Sequence, residues 1–192
     1  MNRLGIGFML IVILTGFNVY KNQERYSGNI VSDMYGFSFS YPGNMMVMEA
    51  GFPDYASGAS DFSGRVQATS FIEERIEQIL VIWTVVREYG ELNEELMKVV
   101  DDLNGNSNTS INYLSEIETL EFTNCTYNYI YFEANQRGLN FNAVIGITII
   151  PWAPLRSYRG YVIGYIASEG VNSESELRAE FLRFLNSFKP VT

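Results

Sequence analysis

The fold is decided by the stretch Tyr35-Gly-Phe-Ser-Phe-Ser-Tyr-Pro, which alternates aromatic and small polar side chains. An alternation with a period of two is typical of a β-strand that buries one face and exposes the other. Pro42 and Gly43 end this run, because such a pair marks a turn and proline cannot donate a hydrogen bond to a sheet. The stretch therefore predicts the opening strand of a domain that begins near residue 33.

The chain that follows is predicted to form further strands around one helix. Between residues 91 and 103 the apolar side chains recur at helical spacing, with acidic residues at the start and Gly105 just beyond the end. Residues 76–86 contain a continuous β-branched run, which is typical of a central strand covered on both faces. The predicted strands are 45–48, 65–72, 76–86, 112–121, 127–133, 140–150 and 159–167, with a hairpin connection at 134–138.

An amphipathic helix is predicted to close the chain. Ser173 is a suitable N-cap, acidic residues follow it, and Leu177, Phe181 and Leu185 lie on one face of the predicted helix. The order of elements predicts one α+β domain, in which helices pack on a mostly antiparallel sheet.

The amino-terminal residues 1–21 read as a hydrophobic membrane anchor. The uncharged run from Leu4 to Tyr20 would span about 25 Å as a helix, which is at the short end of what crosses a bilayer. Arg3 precedes the run, so the positive-inside rule places the amino terminus in the cytoplasm and the bulk of the chain on the extracytoplasmic side. Small residues do not occupy both cleavage positions, so an uncleaved single-pass anchor is preferred over a cleaved signal peptide and a secreted protein. Residues 22–32 are then a tether, and residues 33–192 the domain.

Composition excludes several classes of function. The net charge of −9 and the pI of about 4.5 disfavour nucleic-acid binding, because such a surface repels phosphates. The chain contains no histidine, which removes the commonest general base and the usual zinc and copper ligands. Cys125 is the only cysteine and has no cationic neighbour in the sequence, so an inert thiol is expected. No catalytic residue, metal site or cofactor is therefore predicted.

Several of these segments together resemble the PsbP-like proteins. The resemblance rests on the opening stretch from Tyr35, the helix at 91–103, the meander of three strands, and the closing Phe181-Leu-Arg-Phe-Leu-Asn-Ser-Phe-Lys. It covers about 155 residues, nearly the whole predicted domain. It implies an α/β/α sandwich on a central antiparallel sheet, an extracytoplasmic location, and an accessory or binding role with no known reaction.

One connection between strands carries residue types that anchor protein interfaces. It reads Pro151-Trp-Ala-Pro-Leu-Arg-Ser-Tyr-Arg and is locally positive in an acidic protein. The loop from Gly51 to Ser63, with its three aromatic residues, is a second candidate rim. The predicted binding residues are Trp152, Arg156, Tyr158 and Arg159, and those of the second rim are Phe52, Tyr55 and Phe62.

Two further patterns concern acidic pairs and glycosylation sequons. Adjacent carboxylates on a strand or a helix diverge, so the pairs Glu73–Glu74, Glu94–Glu95 and Asp101–Asp102 are expected to be solvated rather than catalytic. Asn108 and Asn124 each begin an Asn-x-Ser/Thr sequon, which matters only where the exported side has glycosylation machinery.

The sequence thus predicts a membrane-anchored extracytoplasmic binding module that contacts a protein complex or a cell-envelope component. Two alternatives stay open. One is a histidine-independent carboxylate enzyme acting on envelope glycans, which needs two carboxylates facing one cleft. The other is a small-ligand carrier, which needs an apolar cavity between sheet and helix.

Overall fold

A computed structural model describes residues 28–32, 37–42, 45–50, 63–72, 75–86, 88–105, 108–122, 124–152 and 157–190. The predicted anchor at 1–21 and the three aromatic residues of the predicted second rim lie outside these ranges.

The described residues form eleven strands and two helices. The first five strands are β1 (Gly28–Ser32), β2 (Phe37–Tyr41), β3 (Met46–Ala50), β4 (Ser63–Ile72) and β5 (Arg75–Val86). The middle of the chain forms α1 (Leu92–Gly105), β6 (Thr109–Leu114), β7 (Glu118–Phe122), β8 (Cys125–Gln136) and β9 (Leu139–Trp152). The chain closes with β10 (Ser157–Ser168), α2 (Glu174–Ser187) and β11 (Lys189–Pro190).

The strands are arranged in two sheets. The large sheet has the order β3-β4-β5-β10-β9-β8-β6, and β7 pairs with β8 on the same side as β6. The small sheet has the order β1-β2-β11. Every strand pair among the described residues is antiparallel.

Each face of the large sheet carries its own hydrophobic core. On one face α2 and the small sheet bury a layer rich in aromatic rings, in which Phe37, Tyr161 and Phe181 have no exposed surface. On the other face α1 packs through Leu96, Val99, Val100 and Leu103 against aliphatic residues of β8, β9 and β10. Helix-sheet-helix layering follows, and the predicted α+β sandwich is confirmed.

Local signals in the sequence account for the ends of the elements. Ser173 and Glu176 form a reciprocal capping box at the start of α2, and the backbone N–H of Ser173 lowers the pKa of the Glu176 carboxyl. Arg137 and Gly138 both have positive φ, 53° and 86°, as a two-residue type I′ hairpin turn requires. The predicted helix and hairpin are therefore confirmed.

The structure corrects two of the predicted boundaries. The predicted tether at 22–32 overlaps β1, whose residue Ile30 lies opposite Phe39 of β2, so residues 28–32 belong to the folded domain. The predicted strand at 112–121 is two strands, because Ser115 leaves the ladder between them. Its side-chain oxygen accepts a hydrogen bond from the Tyr131 N–H at 3.1 Å, and its own N–H donates to the Tyr131 carbonyl at 3.0 Å.

Candidate functional site

The predicted binding residues do not form one patch. Tyr158 and Arg159 are neighbours in β10, so their side chains point to opposite faces of the large sheet. Tyr158 lies on the face that α1 covers, whereas Arg159 lies on the face of α2. Trp152 ends β9 opposite Ser157, and Arg156 lies outside the described residues.

Arg159 is buried, with 8% of its surface exposed, so the expectation that it is displayed at the surface is wrong. In the sheet it lies between Val85 and Ile150. Its guanidinium hydrogen-bonds the Tyr161 hydroxyl: burial raises the pKa of Tyr161, and this bond acts in the opposite direction. Sequence reasoning missed this because arginine is rarely buried unless it is hydrogen-bonded, and the bonding geometry is tertiary.

Tyr158 takes part in an aromatic pair at the surface. Its ring meets the ring of Tyr89 edge-on, with 4.7 Å between centroids and an angle of 74°. Tyr89 is 49% exposed and belongs to the segment that leads from β5 into α1. Tyrosines combine a large apolar ring with a polar end, which makes them common anchors of interfaces.

Two asparagines lie on the same face, where α1 begins. Asn128 of β8 donates a hydrogen bond from Nδ2 to Oδ1 of Asn93 at 2.6 Å. The strand registers place Asn128 on this face level with Val162, two strands across the sheet and four residues along it from Tyr158. Tyr89, Tyr158, Asn93 and Asn128, with the segment from 89 to 93 that joins them, are called the Tyr89 surface from here on.

The Tyr89 surface is bordered by negative charge. Glu88, Glu91 and Glu94 are all exposed along the segment that leads into α1. Glu95, by contrast, is hydrogen-bonded within the protein. Its Oε1 accepts hydrogen bonds from Nζ of Lys98 at 2.6 Å and from the backbone N–H of Gly90 at 3.3 Å. The surface therefore combines exposed aromatic area with an acidic border.

A second polar cluster joins α2 to β7 and β8 on the opposite face. Arg178 forms ion pairs with Glu118 and Glu174, and its guanidinium lies 5.5 Å from the centroid of the Tyr131 ring. The Tyr129 hydroxyl donates to Glu118 at 2.6 Å. Sequence reasoning did not find this cluster, because Arg178 and Glu118 are 60 residues apart.

The tyrosine hydroxyls of this layer are weak acids. Burial, followed by the hydrogen bond to Glu118, raises the pKa of Tyr129 to about 12. Burial is also the first cause of the raised pKa of Tyr131, and the hydrogen bond of its hydroxyl to Glu133, at 3.0 Å, is the second. These hydroxyls therefore stay protonated through the neutral range.

We expect the domain to lose stability as the pH rises above about 10. The unfolded chain ionises its tyrosines near pH 10, whereas folded Tyr129 keeps its proton until about pH 12. Between these pH values the folded state thus holds more protons than the unfolded state. The stabilisation that comes from the raised pKa of Tyr129 is therefore complete below about pH 10 and declines above it. Melting temperatures at pH 8 to 11, with tyrosinate absorbance, measure this. The melting temperature of Tyr129→Phe should decline less steeply with rising pH than that of the unchanged protein. An equal decline in both proteins would contradict the assignment of the effect to Tyr129.

The sequon asparagines and the acidic pairs of α1 lie at or near the surface. Asn108 and Asn124 are exposed and lie in turns, and their use as sequons stays a prediction. Glu94, Asp101 and Asp102 are exposed, whereas the pair Glu73–Glu74 lies outside the described ranges. Within those ranges no cluster of three or more acidic or thiol side chains is arranged to hold a metal ion. Neither described helix, at 14 residues each, is long and apolar enough to cross a membrane.

A known structure shares this architecture. The solution structure of cyanobacterial PsbP (CyanoP) from Synechocystis sp. PCC 6803 matches with a TM-score of 0.57 and 14% identity, over 91% of this chain and 98% of that one. The chain has a PsbP-like fold. The crystal structure of the Saccharomyces cerevisiae Ran-binding protein Mog1p matches this chain with a TM-score of 0.44 and 14% identity, over 88% of this chain and 97% of that one. No protein-family model and no curated protein matches the sequence.

Proposed function

We propose that this PsbP-like protein is a membrane-anchored extracytoplasmic binding or accessory module that catalyses no reaction. It contacts a protein complex or a cell-envelope component through the Tyr89 surface. The observation that carries the proposal is the pair of tyrosine rings 4.7 Å apart, of which Tyr89 is half exposed. Large aromatic side chains at the centre of a contact often dominate the binding energy.

The chemistry of the second cluster supports a binding role over catalysis. Arg178 is committed to two carboxylates, and raised pKa values keep the hydroxyls of Tyr129 and Tyr131 protonated near neutral pH. A protonated phenol is a poor nucleophile and a poor general base. The cluster serves to hold α2 against β7 and β8.

We expect Tyr89→Ala and Tyr158→Ala together to weaken partner capture about tenfold or more, since each removes part of an aromatic anchor. The measurement is affinity purification of the full chain from native membranes, with quantitative mass spectrometry. Tyr113→Ala is the matched control, because Tyr113 is 48% exposed, pairs with the Tyr131 ring at 6.0 Å and lies on β6. Undiminished capture by the double variant would refute the role of this surface.

We expect deletion of residues 1–21 to move the protein from the membrane fraction to the soluble fraction, because this segment carries the predicted anchor. Fractionation of cells that express the full and the shortened chain measures the change. Retention of the shortened chain in the membrane fraction would contradict anchoring by this segment.

The Trp152→Ala and Arg156→Ala variants extend the capture experiment to the rest of the predicted interface.

A further inference from the structure

The Asn128 amide is incompletely hydrogen-bonded inside the protein. Asn128 is only 8% exposed, and its Oδ1 has no hydrogen-bond partner in the part of the chain that the structure describes. A buried acceptor without a donor costs about 1–3 kcal/mol. Turning the amide over exchanges its two ends but still leaves one of them unsatisfied. Asn128 thus has unused capacity to hydrogen-bond next to the start of α1.

We propose that the side-chain amide of Asn128 hydrogen-bonds the main chain of an extended segment of a partner protein. In the free chain the side chain of Asn93 takes the place of that segment. Asn93 is exposed, so its side chain can turn away into solvent. Its Oδ1 supplies the acceptor for Asn128 Nδ2 that a main-chain carbonyl would supply, but nothing reaches Oδ1 of Asn128. Asn93 therefore satisfies only half of the Asn128 amide.

A residue in an extended conformation can hydrogen-bond both Oδ1 and Nδ2 of Asn128. In a β conformation the N–H and the C=O of one residue point to the same side, so that residue can donate to Oδ1 and accept from Nδ2 of one asparagine. A carboxylate offers no donor, and an ammonium group offers no acceptor. Main chain thus offers both the donor and the acceptor that the amide of Asn128 can use.

The surroundings of Asn128 select the side chains of that segment. Glu91 and Glu94, which flank Asn93 in the sequence, are exposed in a chain of net charge −9, so Lys or Arg is favoured over acidic residues. The rings of Tyr89 and Tyr158 lie four residues further along the strands on the same face, and they offer apolar contact to a side chain several positions away in an extended segment. The occupant is thus an extended basic segment of a partner protein.

This inference rests on the proposed binding function and is tested separately from it. The probe is lysine blocked as N-acetyl-lysine N-methylamide, titrated into the full chain in detergent micelles and followed by NMR of the asparagine side-chain NH₂ groups. We expect shifts at Asn128 and Asn93 in the unchanged protein, and no shift at Asn93 in Asn128→Leu. The corresponding glutamate compound should bind about two- to fivefold more weakly, as an exposed charge contact allows.

The deciding variant is Asn93→Ala. Because it removes the competing side chain, it should bind the probe roughly two- to tenfold more tightly, whereas a merely structural hydrogen bond predicts no gain. Equal or weaker binding by Asn93→Ala, or probe shifts confined to other residues, would overturn the inference. Asn93 is exposed, so this variant remains decisive even where Asn128→Leu fails to fold. Partner capture that depends on Tyr89 but not on Asn93 or Asn128 would refute the inference and leave the proposed function standing.

Discussion

Phe181→Ala is expected to lower the free energy of unfolding by about 3–5 kcal/mol, the usual cost of truncating a fully buried phenylalanine. Phe181 has no exposed surface, and its ring lies 5.6 Å from that of Tyr129, centroid to centroid. It is one of the four buried residues of α2. Its removal leaves a cavity between helix and sheet that the surrounding aromatic rings fill only in part.

Urea unfolding followed by circular dichroism measures this loss. The matched control is Leu182→Ala, the next residue along α2, which is only half-buried and should cost clearly less. A loss below about 1 kcal/mol for Phe181→Ala would show that α2 is held mainly by the Arg178 cluster rather than by this side chain.

Gly146→Ala is expected to cost about 1–3 kcal/mol through overpacking at the same contact. A Cβ atom at Gly146 would lie 2.9 Å from Cζ of Phe181 and 3.2 Å from Cβ of Tyr129. The Phe181 ring could shift, but Cβ of Tyr129 is tied to the backbone of β8. The new methyl group must therefore displace the Phe181 ring, which is fully buried between α2 and the sheet, and it also presses on β8.

Gly164→Ala is the matched control for this prediction, because it is also a strand glycine of the large sheet. There the nearest atom to a new Cβ is Cγ2 of Ile145 at an ordinary 3.5 Å, so the change should be neutral or stabilising by up to about 1 kcal/mol. The double variant Gly146→Ala with Phe181→Leu should recover part of the summed losses, since the two sites touch. Equal effects at Gly146 and Gly164, or strict additivity, would disprove the contact.

The fold was predictable where a pattern is local and repeated. The alternation in β2, the helical spacing of α1 and the Ser173 cap of α2 are each set by residues within a few positions of one another. The break between β6 and β7 was not predictable, because it depends on hydrogen bonds between Ser115 and Tyr131, 16 residues apart. The short pairing of β11 with β2 is likewise set by contacts between the two ends of the domain.

The candidate site was predictable only in part. Tyr158 was identified from its residue type. Its partner Tyr89 lies 69 residues earlier in the chain and shares no motif with it. Arg159 was expected at the surface with Tyr158, and the alternation of a strand places it in the opposite core instead. Asn93 and Asn128, 35 residues apart, carried no signal in the sequence.

The sequence by itself determined the fold class, most of the strands and both helices, because periodicity and capping act over short distances along the chain. The stretch from Tyr35 was predicted to be the opening strand, whereas in the structure β1 precedes β2 (Phe37–Tyr41). The prediction of a membrane anchor also comes from the sequence alone and is tested by the deletion of residues 1–21, and the non-catalytic role stays a prediction. Only the tertiary structure decided which side chains meet: the Tyr89–Tyr158 pair, the Asn93–Asn128 bond and the Arg178 cluster. Strand register and sheet order bring these residues together, and both are set by packing across the whole domain rather than by neighbours in the chain.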